Sequence, residues 1–191
     1  MKRTTAVRME TKRLILRSWE SVDLEDFMSF YMDKDVMLTS GAEPARDRRQ
    51  AKEKLDEARK NRDAFAIVLK ENGRAVGKIK FQNDIRRYNV NSISVGYELA
   101  KAYWGRGIMP EALKAMICYA FEEKRVDVIG IGHFSVNDRS RRVIEKCGFK
   151  HEGTIRMGFK RYDGKIFDDE SYSITRREYL EGKAFFRQDN I

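Results

Sequence analysis

The sequence predicts a mixed α/β fold in one domain, with a central, mostly antiparallel sheet flanked by helices. Two apolar runs at 65–69 and 76–81 are separated by Asn72-Gly73, a dipeptide suited to the left-handed residues of a tight hairpin. Leu113, Met116, Ile117, Ala120 and Phe121 recur with helical spacing within 108–123, and a strand-like run at 128–134 follows. With 191 residues and no internal repeat or linker, one domain is the simplest partition, able to bury roughly 70% of its unfolded surface.

In chain order, Leu14, Ile15 and Leu16 begin a strand at 14–17. Ser21 is placed to cap an amphipathic helix carrying Leu24, Phe27, Met28 and Tyr31, and a second helix is expected at about 48–61. After the hairpin comes a polar connection with Arg86, Arg87 and Asn89, then an alternating run at 93–99 that reads as the third strand of the meander. Strand, helix and strand up to 134 imply a right-handed crossover between parallel strands, so the sheet is mixed. A helix at about 138–146 stops at Gly148, and Ile155, Tyr172 and Ile174 belong to a closing hairpin. These readings place the domain at 11–180, with terminal extensions at 1–10 and 181–191. The tail from Gly182, with Phe185 and Phe186, reads as a frayed end in preference to an interface.

The 39 basic and 30 acidic residues leave a net charge of +9, which suits nucleic acid, anionic lipid or a polyphosphate cofactor. The two signs are interspersed, as on an ordinary solvated surface, and no nucleic-acid motif or aromatic–basic platform is present, so nucleic acid is not the expected partner. Cys118 and Cys147 are far apart, and with His133 and His151 they match no zinc spacing, so no metal is predicted. The basic start, Met1 to Thr5, leads into no apolar run, and nowhere do about 18 apolar residues follow one another. A cytoplasmic protein outside the membrane is expected.

The most informative stretch is Tyr103-Trp104-Gly105-Arg106-Gly107-Ile108-Met109-Pro110-Glu111, which joins a strand to a helix through glycines. Glycine lets the backbone approach an anion, and the free N–H groups of a helix start then face it, aided by the helix dipole. Pro110 is tolerated in a first helical turn. The segment lacks G-x-G-x-x-G and the Lys-Ser/Thr of a P-loop, so it reads as a pyrophosphate cradle of another kind. Thirty residues on, the segment from Asn137 to Phe149 supplies a second strand-to-helix turn rich in polar side chains.

With both segments in view, the sequence resembles the GNAT acetyltransferase superfamily, and within it the Rim-type branch that includes ribosomal-protein N-terminal acetyltransferases. The resemblance covers about 11–179 and includes the opening Thr11-Lys12-Arg13-Leu14-Ile15-Leu16-Arg17. It implies a sheet splayed at the cofactor site and acetyl-CoA as cosubstrate. By position, the backbone of Tyr97, Glu98 and Leu99 is expected to bond the pantetheine arm, and Trp104, Gly105, Arg106, Gly107, Ile108 and Met109 to hold the pyrophosphate. Asn137 is expected on the pantetheine arm and Ser140 near the thioester sulfur. Trp104 stands where the wider superfamily has Gln or Arg, and Met109 replaces a small residue, so crowding of the cradle is expected there.

Acetyl transfer to an amine needs a neutral amine, a polarised thioester carbonyl and a means of protonating the leaving thiolate. Holding two reactants together supplies on the order of 7–11 kcal/mol of the barrier, against about 3–5 kcal/mol from a general acid or base. Many relatives carry a catalytic glutamate and tyrosine at positions that align with Gly132 and Ile144 here. Ser140 is therefore the expected donor toward sulfur, a capping serine being the alternative. Glu98 or His133 is the expected base, although the inward parity of His133 also fits a histidine at the core's edge.

The resemblance implies an amine acceptor, either a protein N-terminus or a small molecule, shaped by the first two helices and the 82–91 connection. Asp33, Asp35 and Glu43 offer a negative lining for a cationic amine. A homodimer is compatible with the family. The alternative function is a coenzyme A-binding sensor without turnover, which the lost family acid and base motivate.

Overall fold

The computed structural model describes residues 7–187, and all its strands join one sheet in the order β1-β2-β3-β4-β5-β6-β8-β7. The strands are β1 (Arg8–Glu10), β2 (Leu14–Ser18), β3 (Ala64–Leu69), β4 (Ala75–Asn83), β5 (Ser92–Leu99), β6 (Val128–Phe134), β7 (Lys150–Lys160) and β8 (Ile166–Thr175). Only β5 and β6 run parallel, joined by α4 (Ile108–Glu122) as the crossover reading requires. The remaining helices are α1 (Leu24–Tyr31), α2 (Lys34–Ser40), α3 (Arg48–Lys60), α5 (Asp138–Lys146), α6 (Arg176–Glu181) and α7 (Lys183–Phe186).

Strand β3 is buried along its whole length because both faces of the sheet are covered, which is why it reads as an unbroken apolar run. Phe65 and Ile67 join Leu14, Leu16, Ile79 and the α4 residues Leu113, Met116, Ile117 and Phe121 in one core. Ala66 and Val68 belong to a second core with Trp19, Phe27, Phe30, Met37 and Leu55, supplied by α1, α2 and α3. The periodicities thus sort the same strand's side chains into two layers.

Two local expectations are corrected, and one helix was not foreseen. Ser21 lies in a short 3₁₀ turn, Ser21–Asp23, and α1 begins only at Leu24. Asp23 organises this corner instead, accepting hydrogen bonds from the Glu20 backbone N–H at 2.8 Å and from both terminal nitrogens of Arg17. Helix α2 went unread because it has only seven residues, although Asp33 accepts from the Asp35 and Val36 N–H groups at its start and Gly41 ends it at φ +80°. The tail does not fray at α7: Phe186 is 4% exposed, in contact with Tyr179, and the Cys118 thiol lies 3.6 Å from its carbonyl oxygen. Among the described residues, no helix is long and apolar enough to cross a membrane.

Helix α6 opens with a reciprocal cap in which the Thr175 N–H and hydroxyl both donate to Glu178 at 2.8 Å, while Lys150 Nζ stands 2.7 Å from its other oxygen. Partial burial acts to raise the Glu178 pKa, but the bonds from Lys150 and Thr175 outweigh it and hold the carboxyl down at about 2. A depressed folded pKa means that the stabilisation is complete above the unfolded value and is lost as pH falls through the folded one. Glu178→Gln is therefore expected to lose about 1–2 kcal/mol at pH 7, discounted because Lys150 is largely exposed. Urea midpoints of variant and wild type should converge as pH falls from 4.5 towards 2, and a gap independent of pH would rule this origin out.

Candidate active site

Parallel pairing of β5 with β6 ends at Ser94 opposite Gly130. Beyond that point β5 stays with β4 as far as Leu99, and β6 stays with β8 as far as Phe134, so the two halves of the sheet separate. The gap opens into a cleft of about 720 Å³ lined by both strands, the 103–110 turn and the first turns of α5. The Ala100 N–H donates to Val76 on β4, so strand alternation turns the backbone groups of Glu98 the same way and those of Tyr97 and Leu99 into the gap. The Leu99 carbonyl, however, already accepts from the Trp104 indole N–H at 2.7 Å. Of the three residues expected to offer backbone to a ligand, Tyr97 keeps both its groups open to the gap and Leu99 its N–H, while Glu98 is corrected to face β4.

The turn expected to cradle a phosphate has left-handed glycines. Gly105 and Gly107 both sit at φ +74°, a left-handed conformation costing roughly 1–2 kcal/mol with an ordinary side chain, and Gly107 directly precedes α4. Met109 is 4% exposed and packs in the core with Ile108, and both residues also line the cleft. Arg106 lies over the Tyr103 ring, and the Trp104 ring carries Arg139 at 4.5 Å. Trp104 thus braces the β5 end and α5 against the turn.

A residue that sequence reasoning passed over holds the cradle from beneath. Glu111 is 4% exposed; its carboxylate accepts from the Thr11 hydroxyl at 2.6 Å, the Arg13 N–H at 2.8 Å and Arg13 Nε at 2.6 Å. Arg13 also donates to the Arg106 carbonyl at 3.0 Å. The opening motif and the cradle are therefore one clamp; its only sequence signal was an acidic residue in a first helical turn, which reads equally well as dipole compensation.

At the other wall Asn137 caps α5, its side-chain oxygen accepting from the Ser140 N–H at 3.1 Å and its amide donating to the Thr39 carbonyl at 2.9 Å. Both ends of the side chain are thus used within the protein. Ser140 is not the cap; its hydroxyl faces the Tyr97 phenol at 2.8 Å.

On the opposite face of the sheet stand Lys78, Glu98, Lys80, Arg86 and Asp169. Glu98 is buried, with Lys78 Nζ 3.3 Å from Oε2 but not aligned for a hydrogen bond, so this oxygen lacks a hydrogen-bond partner. Burial opposes the charge on Lys78, yet Glu98 beside it keeps the pKa raised. Asp169 pairs with Arg86 and lies 2.9 Å from where a Cβ on Gly132 would stand, so glycine there leaves room for this carboxylate. His133 has no free ring nitrogen: Nδ1–H donates to the Phe134 carbonyl at 2.8 Å and Nε2 accepts from the Tyr172 hydroxyl at 3.2 Å. The acidic residues expected near the acceptor are likewise engaged, Asp33 in capping α2, Asp35 with Lys101 and Glu43 with Arg46.

A splayed sheet with two left-handed glycines at the start of the crossover helix defines an α/β fold with a cleft along one unpaired strand edge. The profile described as acetyltransferase (GNAT) domain matches residues 13–150, and the chain belongs to that family. It is 28% identical over 176 residues to the uncharacterized N-acetyltransferase p20 of Bacillus licheniformis, covering 88% of this chain and 96% of that one. It is 25% identical to the [ribosomal protein uS5]-alanine N-acetyltransferase of Escherichia coli, over 93% and 95% of the two chains. The fold also matches spermidine N-acetyltransferase from Vibrio cholerae, solved with CoA and spermine, at TM-score 0.73 and 20% identity over 87% and 98% of the chains. The protein is an acyl-CoA-dependent N-acetyltransferase, and transfer of an acetyl group is the chemistry of its family.

Proposed function

We propose that this enzyme acetylates a primary amine in a ternary complex with acetyl-CoA, with a protein N-terminus as the favoured acceptor. The carrying observation is the pairing of two left-handed glycines at the start of α4 with an open β5 edge, a site that fits a pyrophosphate and an extended pantetheine arm. Acetyl-CoA supplies the acetyl thioester; the new C–N bond replaces the C–S bond, and the proton given up by the amine balances the departing thiolate.

The chain's own residues then divide the work. The 105–109 backbone holds the phosphates and Tyr97 the arm, while Ser140 points its hydroxyl toward the sulfur. Glu98 is the better placed of the two expected bases, because its buried Oε2, although beside Lys78, accepts no hydrogen bond, whereas both His133 nitrogens are engaged. We assign His133 a packing role. On the acceptor face Glu98 and Asp169 are each matched by a cation and Lys80 has no ion-pair partner among the described residues, so no surplus carboxylate is left for a polycation. This balance favours an acceptor with one positive charge over a polyamine, in keeping with the uS5-alanine enzyme among the relatives. We place this activity in the cytoplasm, whose reducing conditions suit two buried cysteines.

The test is calorimetric titration with acetyl-CoA of wild type, Gly107→Ala and Gly107→Asp, followed by turnover with an alanine-initiated peptide, spermine and an aminoglycoside. Wild type should bind, Gly107→Ala should bind more weakly through backbone strain, and Gly107→Asp should show no measurable heat, because its charge repels the pyrophosphate. Equal binding by all three would overturn the cradle. Binding without turnover of any amine would leave a coenzyme A sensor as the reading.

A further inference from the structure

Past Ser94 and Gly130 strands β5 and β6 share no pairing, yet a side-chain hydrogen bond ties β5 to α5 across the gap: Tyr97 Oη, on β5, lies 2.8 Å from Ser140 Oγ, on α5. Either oxygen is able to donate in principle, and the surroundings choose. Tyr97 Oη has one alternative acceptor, the Ser140 carbonyl at 3.5 Å, at the limit of hydrogen bonding. If Ser140 donated to the phenol, the half-buried phenolic proton would be left with that poor contact as its one acceptor within the described residues. If Tyr97 donates to Ser140 Oγ, its proton is satisfied and the serine proton is released to point elsewhere. Among the described residues Ser140 Oγ has no other hydrogen-bond partner, and both residues line the cleft.

We infer that Tyr97 is a positioning residue for the transfer reaction: by donating to Ser140 Oγ, it aims the serine proton into the cleft, where the leaving sulfur is placed. The inference rests on the proposed placement of Ser140 and adds a role for the Tyr97 side chain, separate from its backbone edge. Burial pushes the Tyr97 phenol well above its ordinary range, so it remains protonated and serves as a fixed donor. It passes no proton onward, since its raised pKa disfavours the phenolate. The proton that balances the thiolate comes from the acceptor amine, and Tyr97 contributes only direction. The arrangement also explains why a serine in the first turn of α5 is not its cap: Asn137 takes that duty and frees the hydroxyl.

The test is a double-mutant cycle of Tyr97→Phe, Ser140→Ala and the double variant, assayed with whichever of the three amines above is turned over. Phenylalanine retains the ring and removes only the oxygen. Tyr97→Phe should lower kcat about tenfold, the size expected from one misdirected hydrogen bond, with the KM for acetyl-CoA unchanged within about twofold. The double variant should be no slower than Ser140→Ala, because Tyr97 acts only through that hydroxyl. A Tyr97→Phe enzyme with wild-type kcat, a raised KM in place of a lowered kcat, or a full additional tenfold loss on the Ser140→Ala background would each overturn the inference while leaving the placement of Ser140 intact. Wild-type kcat in Ser140→Ala, or no turnover of any amine by wild type, would overturn that placement and the inference with it.

Discussion

Glu111→Ala is expected to lose about 3 kcal/mol of unfolding stability and to weaken acetyl-CoA binding at least tenfold. The carboxylate is 4% exposed and accepts three hydrogen bonds, from the Thr11 hydroxyl, the Arg13 N–H and Arg13 Nε. Its removal leaves the fully buried Thr11 hydroxyl and a partly buried backbone N–H short of a partner, the expensive side of hydrogen-bond energetics. The Arg13 side chain is 47% exposed and recovers water, so the loss falls at the low end of the range for breaking a buried pair. The second effect follows from geometry, since Arg13 freed from Glu111 no longer holds the Arg106 carbonyl between the two cradle glycines. Glu111→Gln, which retains an acceptor oxygen but not the charge, should lie between the two. Urea denaturation and calorimetry read the two quantities, and a Glu111→Ala protein that unfolds at the wild-type midpoint would show that the clamp contributes nothing.

This clamp marks the limit of what the sequence discloses. The elements were legible where local chemistry and tertiary packing agree: the hairpin at Asn72-Gly73, the apolar stripe of α4, and the parallel crossover from β5 to β6. The turn before α4 was legible for a similar reason, because Gly105 and Gly107 answer a local conformational demand that the sequence shows directly. Pairings across long separations were not. Thr11 and Glu111 are 100 residues apart, Arg86 and Asp169 are 83 apart, and each taken alone reads as an ordinary surface or first-turn residue. Asn137 was expected on the pantetheine arm and His133 as a base or a core-edge residue; their internal hydrogen-bond partners could not be read from residue type. Helix α2 was missed because seven residues carry too little periodicity, although its cap and stop, Asp33 and Gly41, were both present to be read.

Gly77→Ala tests whether the β5 edge is the part of the splay that meets the ligand. A Cβ at Gly77 would lie 2.4 Å from the Glu98 carbonyl oxygen and 3.1 Å from the Leu99 Cα, backbone atoms that no rotamer change moves aside. Strand β5 must shift away from β4, for which overpacking energetics give about 2–3 kcal/mol. The displaced segment includes Tyr97, so acetyl-CoA affinity should fall by more than tenfold along with stability. Gly73→Ala is the control: Gly73 has φ +72° and nothing within 4 Å of a new Cβ, so its loss is the roughly 1 kcal/mol of left-handed strain in a turn away from the cleft. Its acetyl-CoA affinity should equal that of wild type. If Gly77→Ala unfolds at lower urea yet binds acetyl-CoA as tightly as wild type, the β5 edge does not carry the pantetheine arm, and the phosphate cradle alone must account for binding.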